Sequence, residues 1–158
     1  MAAQCAFALN GKPLSTLTCD GSNYIAFSGT GNSVNKREAV ANVNEGPLPP
    51  GKYYIVDRQS GGHLGWLWDL LAKEFSTDRS EWFALYRDDG VIDDQTVING
   101  IIRGSFRLHP IGPRRLSEGC ITLMSKSEFD LLRARLLAQP AIKIPGTGIR
   151  YYGTVDVQ

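Results

Sequence analysis

FRLHPIGPRRLSEGCITL, residues 106–123, contains a strand that leads into a histidine and a loop that leads into a cysteine. Alternation of polar and apolar residues from Ser105 to Leu108 predicts a strand that ends at His109. Gly, Pro and Arg dominate the following positions and predict a loop, and Cys120 lies 11 positions after His109. Because the two ends of one short loop meet easily, we expect folding to bring this imidazole and this thiol together.

Short strands are predicted on both sides of this segment. Asn-Gly and Asp-Gly turns join the first three of them, and the three prolines of EGPLPPG (45–51) predict a rigid turn that leads into the fourth. The predicted strands cover 4–9, 13–19, 23–28, 52–57, 82–87 and 149–155. The charged stretch RDDGVIDD that follows residue 86 is typical of a turn, so most of the chain is predicted to be β-structure.

Two segments have the period of an α-helix instead. In residues 65–75 the apolar side chains fall on one helical face, with Trp66 and Trp68 beside it. Ser125 and Glu128 form a capping box that predicts the start of a second helix. The apolar stripe of that second helix consists of Phe129, Leu132, Leu136 and Leu137. The prediction is therefore a mainly β (α+β) chain with two short helices.

Length and composition fit one globular domain. The chain has 158 residues, 42% of them hydrophobic, and contains no repeat, low-complexity tract or linker, so we predict one domain over 1–158. A net charge of +1 gives no electrostatic basis for binding nucleic acid. The sequence has no apolar run near the ~18 residues of a membrane span and no secretory signal pattern. We therefore expect synthesis in the cytoplasm and no membrane insertion.

The three cysteines leave at least one thiol unpaired. Cys5 and Cys19 flank a predicted hairpin whose turn length decides whether they can form a disulfide. A loop from Gly11 to Pro13 would pair them directly, whereas a two-residue Asn-Gly turn would place Cys5 opposite Thr16 and exclude a bridge. We favour two small buried side chains, because cysteine is among the residues most often buried.

Cys120 and His109 together have the chemistry of a nucleophile and its base. An adjacent imidazole lowers the pKa of a thiol by favouring the thiolate, which attacks carbonyl carbons. Gly119 lets the backbone approach a substrate, and the N–H groups of Gly119 and Cys120 can point at a developing oxyanion, each worth ~3 kcal/mol of barrier. By spacing alone, a buried cysteine beside a surface histidine explains the pattern equally well.

The residues that make up the motif favour the catalytic interpretation. His109 followed by Ser117-Glu-Gly-Cys120-Ile resembles the L,D-transpeptidase catalytic domain, whose signature is a histidine followed by Ser-x-Gly-Cys. GPLPPGKYYI (46–55) is similar to the Pro-Gly-aromatic turn and strand of that family. The short His-to-Cys loop and the Pro-Pro-Gly turn resemble the branch of antibacterial effectors of type VI secretion systems. Most L,D-transpeptidases carry arginine two positions after the cysteine, where this chain has Thr122.

The resemblance covers about residues 45–138 and implies a fold and a set of roles. The fold is an L,D-transpeptidase-like β-sandwich or barrel with N-terminal strands in 1–44 and a C-terminal strand in 139–158. Cys120 is the nucleophile, and His109 is the general base and then the general acid. A backbone carbonyl, with no carboxylate, orients the His109 ring. Ser117 stabilises the loop or bonds near the thiolate, although a plain turn serine fits it as well.

Three further residues are candidates for substrate contact. Arg114 and Arg115 lie on the loop between the pair, where guanidinium groups suit the free carboxylates of peptidoglycan stem peptides. His63 could line the cleft, although a position in a surface turn is the preferred interpretation. The acidic residues of 88–94 lack calcium-loop spacing and are interpreted as solvated, and no His/Cys cluster suggests zinc. We expect neither a metal nor a cofactor.

These implications define an expected function and its rivals. The expected enzyme cleaves the bond between meso-diaminopimelate and D-Ala of tetrapeptide stems, or exchanges the D-amino acid. As a type VI effector it would act as a monomer in the periplasm of a target bacterium, opposed by a cognate periplasmic immunity protein. The rivals are another cysteine peptidase of the cell wall, for which a sortase-like site would need Arg133 or Arg135, and a non-catalytic wall-binding secretion component.

Overall fold

The computed structural model describes residues 2–57, 81–112 and 119–158. The predicted helix in 65–75, His63, Arg114, Arg115 and Ser117 lie outside the described residues. The strands are β1 (Ala3–Phe7), β2 (Ser15–Cys19), β3 (Ser22–Phe27), β4 (Gly51–Asp57), β5 (Phe83–Arg87), β6 (Gln95–Ile98), β7 (Ile101–Gly104), β8 (Arg107–Pro110), β9 (Ile121–Leu123), β10 (Ile142–Lys143) and β11 (Arg150–Val157). Helix α1 spans Lys126–Leu137, and single 3-10 turns span Gly31–Ser33 and Arg37–Ala39.

Nine of these strands form one sheet that closes on itself. Its order is β1-β2-β3-β9-β8-β5-β4-β11-β10, and β1 also pairs with β11 in parallel, which completes a barrel. β6 and β7 form a separate hairpin. The mainly β prediction is thus confirmed, and the open choice between sandwich and barrel is settled as a barrel. In the described part of the chain, α1 is the single α-helix.

One hydrophobic cluster fills the barrel. β1 is buried at every second position, from Ala3 through Cys5 to Phe7, as expected for a strand with one face toward a core. α1 adds Phe129, Leu132 and Leu136 to the same cluster. The helix therefore belongs to the core that supports β8 and β9.

The capping box and the stripe of α1 were predicted with one error. The Ser125 hydroxyl accepts the N–H of Glu128, at 3.3 Å, as a capping residue should. Leu137 is 40% exposed, although the sequence placed it in the buried stripe. The reason is geometric, since residue 137 lies about 100° around the helix from the buried Leu136.

The first hairpin joins Cys5 to Cys19 by a disulfide. The register pairs Cys5 with Cys19 and Phe7 with Leu17, which is the register expected for a loop from Gly11 to Pro13. The favoured interpretation of two unbridged cysteines was therefore wrong. Cys120 is the free cysteine of the described residues.

Removal of this disulfide is expected to lower stability without touching the site. The Cys5→Ser/Cys19→Ser variant should lose about 3 kcal/mol of unfolding free energy, because a bridge of this span restricts the unfolded chain. Urea denaturation of oxidised wild type against the variant measures the difference. Reduced wild type should unfold like the variant, and equal stability of all three forms would contradict the bridge.

Candidate active site

The parallel pairing of β8 and β9 sets the geometry of the site. Its register aligns Leu108 with Ile121 and His109 with Thr122. Leu108 and Ile121 belong to the barrel core, so the alternation of a strand turns His109 and Thr122 to the outer face. His109 thus lies within β8, which extends one residue past the predicted end of the strand at His109, to Pro110.

Cys120 lies on the same outer face, immediately before β9. Extending the register back by one residue places Cys120 beside Arg107, diagonally from His109. Diagonal positions of this kind are roughly 8 Å apart at Cα, a separation that a cysteine and a histidine side chain can bridge. Cys120 is 8% and His109 5% exposed, yet neither belongs to a core cluster. Both side chains are therefore shielded from water, although they lie outside the apolar core.

Three contacts fix the His109 ring. Nδ1 lies 2.7 Å from the carbonyl oxygen of Pro110, which can only accept, so Nδ1 carries the proton. Nε2 is then the basic nitrogen of the neutral ring, 3.4 Å from the Thr122 hydroxyl. The Trp82 ring stacks on the imidazole with centroids 4.2 Å apart. The backbone carbonyl that the resemblance implied is present, and the ring is held ready to accept a proton at Nε2.

Gly119 occupies a position that only glycine fits. Its φ of +80° is in the left-handed region, and a Cβ there would lie 2.6 Å from Arg103 Nη2 and 2.8 Å from the Phe106 ring. The backbone that delivers Cys120 is therefore packed directly against Arg103 and Phe106.

Arg103 connects this backbone to the loop before β4. The side chain is 5% exposed, and its guanidinium donates to the carbonyl oxygens of Val40, Gly46 and Pro47 at 2.6–3.0 Å. Burial lowers the pKa of Arg103, while the negative charge of a Cys120 thiolate opposes that shift. Arg103 therefore both supports the Gly119 turn and places a positive charge close enough to Cys120 for the two groups to interact.

Arg107 forms an ion pair with Asp94 on the Cys120 side. Burial lowers its pKa, but the hydrogen bonds and charge of Asp94, together with the charge of Cys120, outweigh that effect and raise it. Both guanidinium nitrogens of Arg107 lie 2.8 Å from the Asp94 carboxylate. Asp94 is therefore a structural partner of Arg107 while 35% of its side chain remains exposed, so its interpretation as a solvated turn residue was incomplete. Asp89 is exposed, as its interpretation as a solvated residue requires, and it also accepts the hydroxyl of Thr96 at 2.6 Å.

Replacing Arg103 by methionine is expected to lower both the stability of the fold and the reactivity of the Cys120 thiol. Three buried carbonyls lose their donor, which should cost about 2–4 kcal/mol of unfolding free energy. Loss of the charge should also slow alkylation of Cys120 by iodoacetamide at neutral pH several-fold. Arg150→Met, at an exposed arginine of β11, is the matched control. Unchanged alkylation in a folded Arg103→Met variant would contradict the electrostatic role.

The structure thus brings together three predicted residues, Cys120, His109 and Gly119. Sequence reasoning missed Arg103, Trp82 and the bidentate Arg107–Asp94 pair. The sequence around Arg103 carries no signal of this role, because the partners of Arg103 lie 56 to 63 residues away. The sortase-like candidates have other contacts: Arg133 donates to the Glu81 carbonyl oxygen, and Arg135 to the Ser22 hydroxyl.

The described residues contain no cluster of three or more His, Cys, Asp and Glu residues that could hold a metal ion. Within the same residues, no helix has the length and apolar character needed to cross a membrane. The candidate active site consists of the Cys120 thiol, the His109 imidazole and the guanidinium groups of Arg103 and Arg107.

Comparison with known proteins gives one result. The family model described as the Tlde1 domain matches residues 22–147, which is more than half of the chain and includes both Cys120 and His109. Neither the curated proteins nor the solved structures contain a match.

Proposed function

This chain belongs to the Tlde1 domain family, a family of type VI secretion antibacterial effectors, and from that premise we propose that it is a cysteine L,D-carboxypeptidase and L,D-transpeptidase of peptidoglycan. Its substrate is the tetrapeptide stem, and the bond cleaved joins the L-centre of meso-diaminopimelate to the terminal D-Ala. The shared outer face of Cys120 and His109 is the observation that carries this proposal.

The reaction begins with proton transfer from the Cys120 thiol to Nε2 of His109. The thiolate attacks the carbonyl carbon of the diaminopimelate L-centre, and the carbonyl oxygen becomes an oxyanion near the Gly119 and Cys120 N–H groups. The C–N bond then breaks, and the proton on Nε2 passes to the nitrogen of the leaving D-Ala. A thioester between Cys120 and the diaminopimelate carbonyl remains.

The acceptor decides the product. Water, deprotonated by His109, hydrolyses the thioester to a tripeptide stem and gives net carboxypeptidase activity. The amine of a free D-amino acid restores a tetrapeptide with an exchanged end, and the amine of a second stem gives a 3–3 crosslink. Trimming or exchange would remove the donor stems that a competing cell needs to crosslink its wall.

Several contacts support this chemistry. Pro110 holds His109 in the tautomer that leaves Nε2 basic, and Arg103 and Arg107 favour the thiolate. Thr122, which replaces the arginine of most L,D-transpeptidases, lies opposite His109 and within 3.4 Å of Nε2. The departure from the family pattern therefore falls beside the base, where a hydroxyl can orient the ring.

Product analysis tests the proposal. Purified muropeptides are incubated with the protein and examined by mass spectrometry, with and without added D-Met. Tetrapeptides should lose one D-Ala, and D-Met should appear in place of D-Ala when it is supplied. Intact tetrapeptides with cuts elsewhere in the stem or the glycan would defeat the assignment in favour of another wall peptidase. Wall binding with no product would favour the non-catalytic alternative.

The proposed setting follows from the family. The protein is delivered as a monomer by a type VI secretion apparatus and acts in the periplasm of the target cell. A cognate immunity protein in the periplasm of the producing cell blocks the cleft around Cys120.

A further inference from the structure

A cavity lies on the outer face of the barrel, next to β3. It has a volume of about 600 Å³, and its apolar lining includes Leu14, Phe27, Ile111 and Met124. Of its lining residues in the described chain, the charged ones are two lysines, Lys12 and Lys36. The cavity therefore combines an apolar wall with positive charge.

The strand order places this cavity across β9 from His109. β9 lies between β8, which carries His109, and β3, and β2 follows β3. Phe27 pairs with Thr122, which in turn pairs with His109, so the three residues form one row across the outer face. Most of the cavity lining comes from the β2 and β3 side of this row, in residues 11–14 and 27–36. Cys120, immediately before β9, thus has β8 with His109 on one side and β3 on the other, and most of the cavity lining lies on the β3 side.

This arrangement fixes the direction in which a bound stem peptide would lie across the strands. The leaving nitrogen of D-Ala must reach Nε2 of His109, on the β8 side of the sulfur. The acyl part, which stays bonded to Cys120, then extends the other way, over β3 and β2. Two strand spacings amount to about 10 Å, which a diaminopimelate residue and the γ-linked D-glutamate before it can span.

We propose that the cavity binds the acyl part of the stem and that Lys12 and Lys36 recognise the α-carboxylate of the D-glutamyl residue. This inference rests on the proposed function. The γ-linkage leaves that α-carboxylate free, with a net charge of −1. The far end of diaminopimelate carries an ammonium beside its carboxylate and is neutral overall, so two lysines favour the glutamyl group. The methylene groups of both residues match the apolar wall.

Tetrapeptides with a free or an amidated D-glutamyl α-carboxyl group test this assignment. Wild type should release D-Ala from the free acid with a kcat/KM roughly tenfold higher than from the amide. The Lys12→Met/Lys36→Met variant should process both at the lower rate. Lys143→Met, at an exposed lysine of β10, should keep the wild-type preference. Backbone groups of Lys12 bond to Asn10 and Asn35, so its substitution leaves these turn contacts in place.

The outcomes separate this inference from the proposed function. Equal rates for acid and amide in wild type, with D-Ala still released, would overturn the lysine assignment alone. A loss confined to stems amidated at the diaminopimelate D-centre would overturn it in favour of that carboxylate. Failure of every substrate would overturn the proposed function instead. Alkylation of Cys120 at the wild-type rate shows that the variant retains its site, and Lys36→Met alone is the fallback if the double variant does not fold.

Discussion

Cys120→Ala is expected to lower D-Ala release from tetrapeptide stems by about four orders of magnitude or more. In the proposed mechanism the thiolate sulfur bonds to the substrate carbonyl carbon, and removal of the nucleophile from a triad-like site has effects of this size. Alanine occupies the space of the thiol closely, so the unfolding free energy should change by about 1 kcal/mol or less. Steady-state release of D-Ala, followed by mass spectrometry, measures the loss.

The same variant separates catalysis from binding in cells. Periplasm-targeted wild type should be toxic, and Cys120→Ala should be harmless at equal abundance. The Cys5→Ser/Cys19→Ser variant is the matched cysteine control, since it removes two sulfurs far from the proposed chemistry and should retain the reaction when folded. Retained toxicity of folded Cys120→Ala would point to the non-catalytic wall-binding alternative.

Gly119→Ala is expected to damage both stability and turnover. The left-handed backbone at φ +80° costs a non-glycine residue about 1–2 kcal/mol. The new methyl group also meets Arg103 and Phe106 at 2.6–2.9 Å, and overpacking of this kind costs about 1–3 kcal/mol more. Arg103 cannot move aside without breaking its bonds to three carbonyls. The backbone N–H groups at the oxyanion should be displaced with it.

Denaturant unfolding and kcat measure the two effects of Gly119→Ala. We expect a loss of about 2–5 kcal/mol in unfolding free energy and at least a hundredfold loss in kcat where the variant still folds. Gly112→Ala is the matched control, since a Cβ there meets nothing within 4 Å and its φ is ordinary. A Gly119→Ala variant as stable and active as the control would refute the close packing behind Cys120.

The local features of the fold were predictable because each is determined by residues that are close together in the sequence. The strand periods, the Ser125 cap and the Gly-Cys element each depend on positions a few residues apart. The β6–β7 hairpin was missed although Asn99 and Gly100 form its turn, both with positive φ. Its apolar residues are mostly exposed, so it lacks the buried alternation by which the other strands were recognised.

The features that complete the site depend on long-range pairing. Nothing near residue 109 specifies that β8 and β9 run parallel, yet that register aligns His109 with Thr122. The Cys5–Cys19 bridge depended on one residue of turn length, and the sequence was compatible with both outcomes. The role of Arg103 likewise depends on carbonyl oxygens of the 40–47 loop, which are distant in the sequence and come together with it only in the folded chain.

Trapping of the acyl-enzyme tests the central claim most directly. The protein is mixed with a tetrapeptide stem, quenched in acid within the first turnovers and digested for mass spectrometry. The account predicts an adduct of the stem minus D-Ala, bonded as a thioester to Cys120, which accumulates in His109→Ala only slowly. Release of D-Ala with the adduct on another residue, or from protein whose Cys120 is fully alkylated, would contradict it.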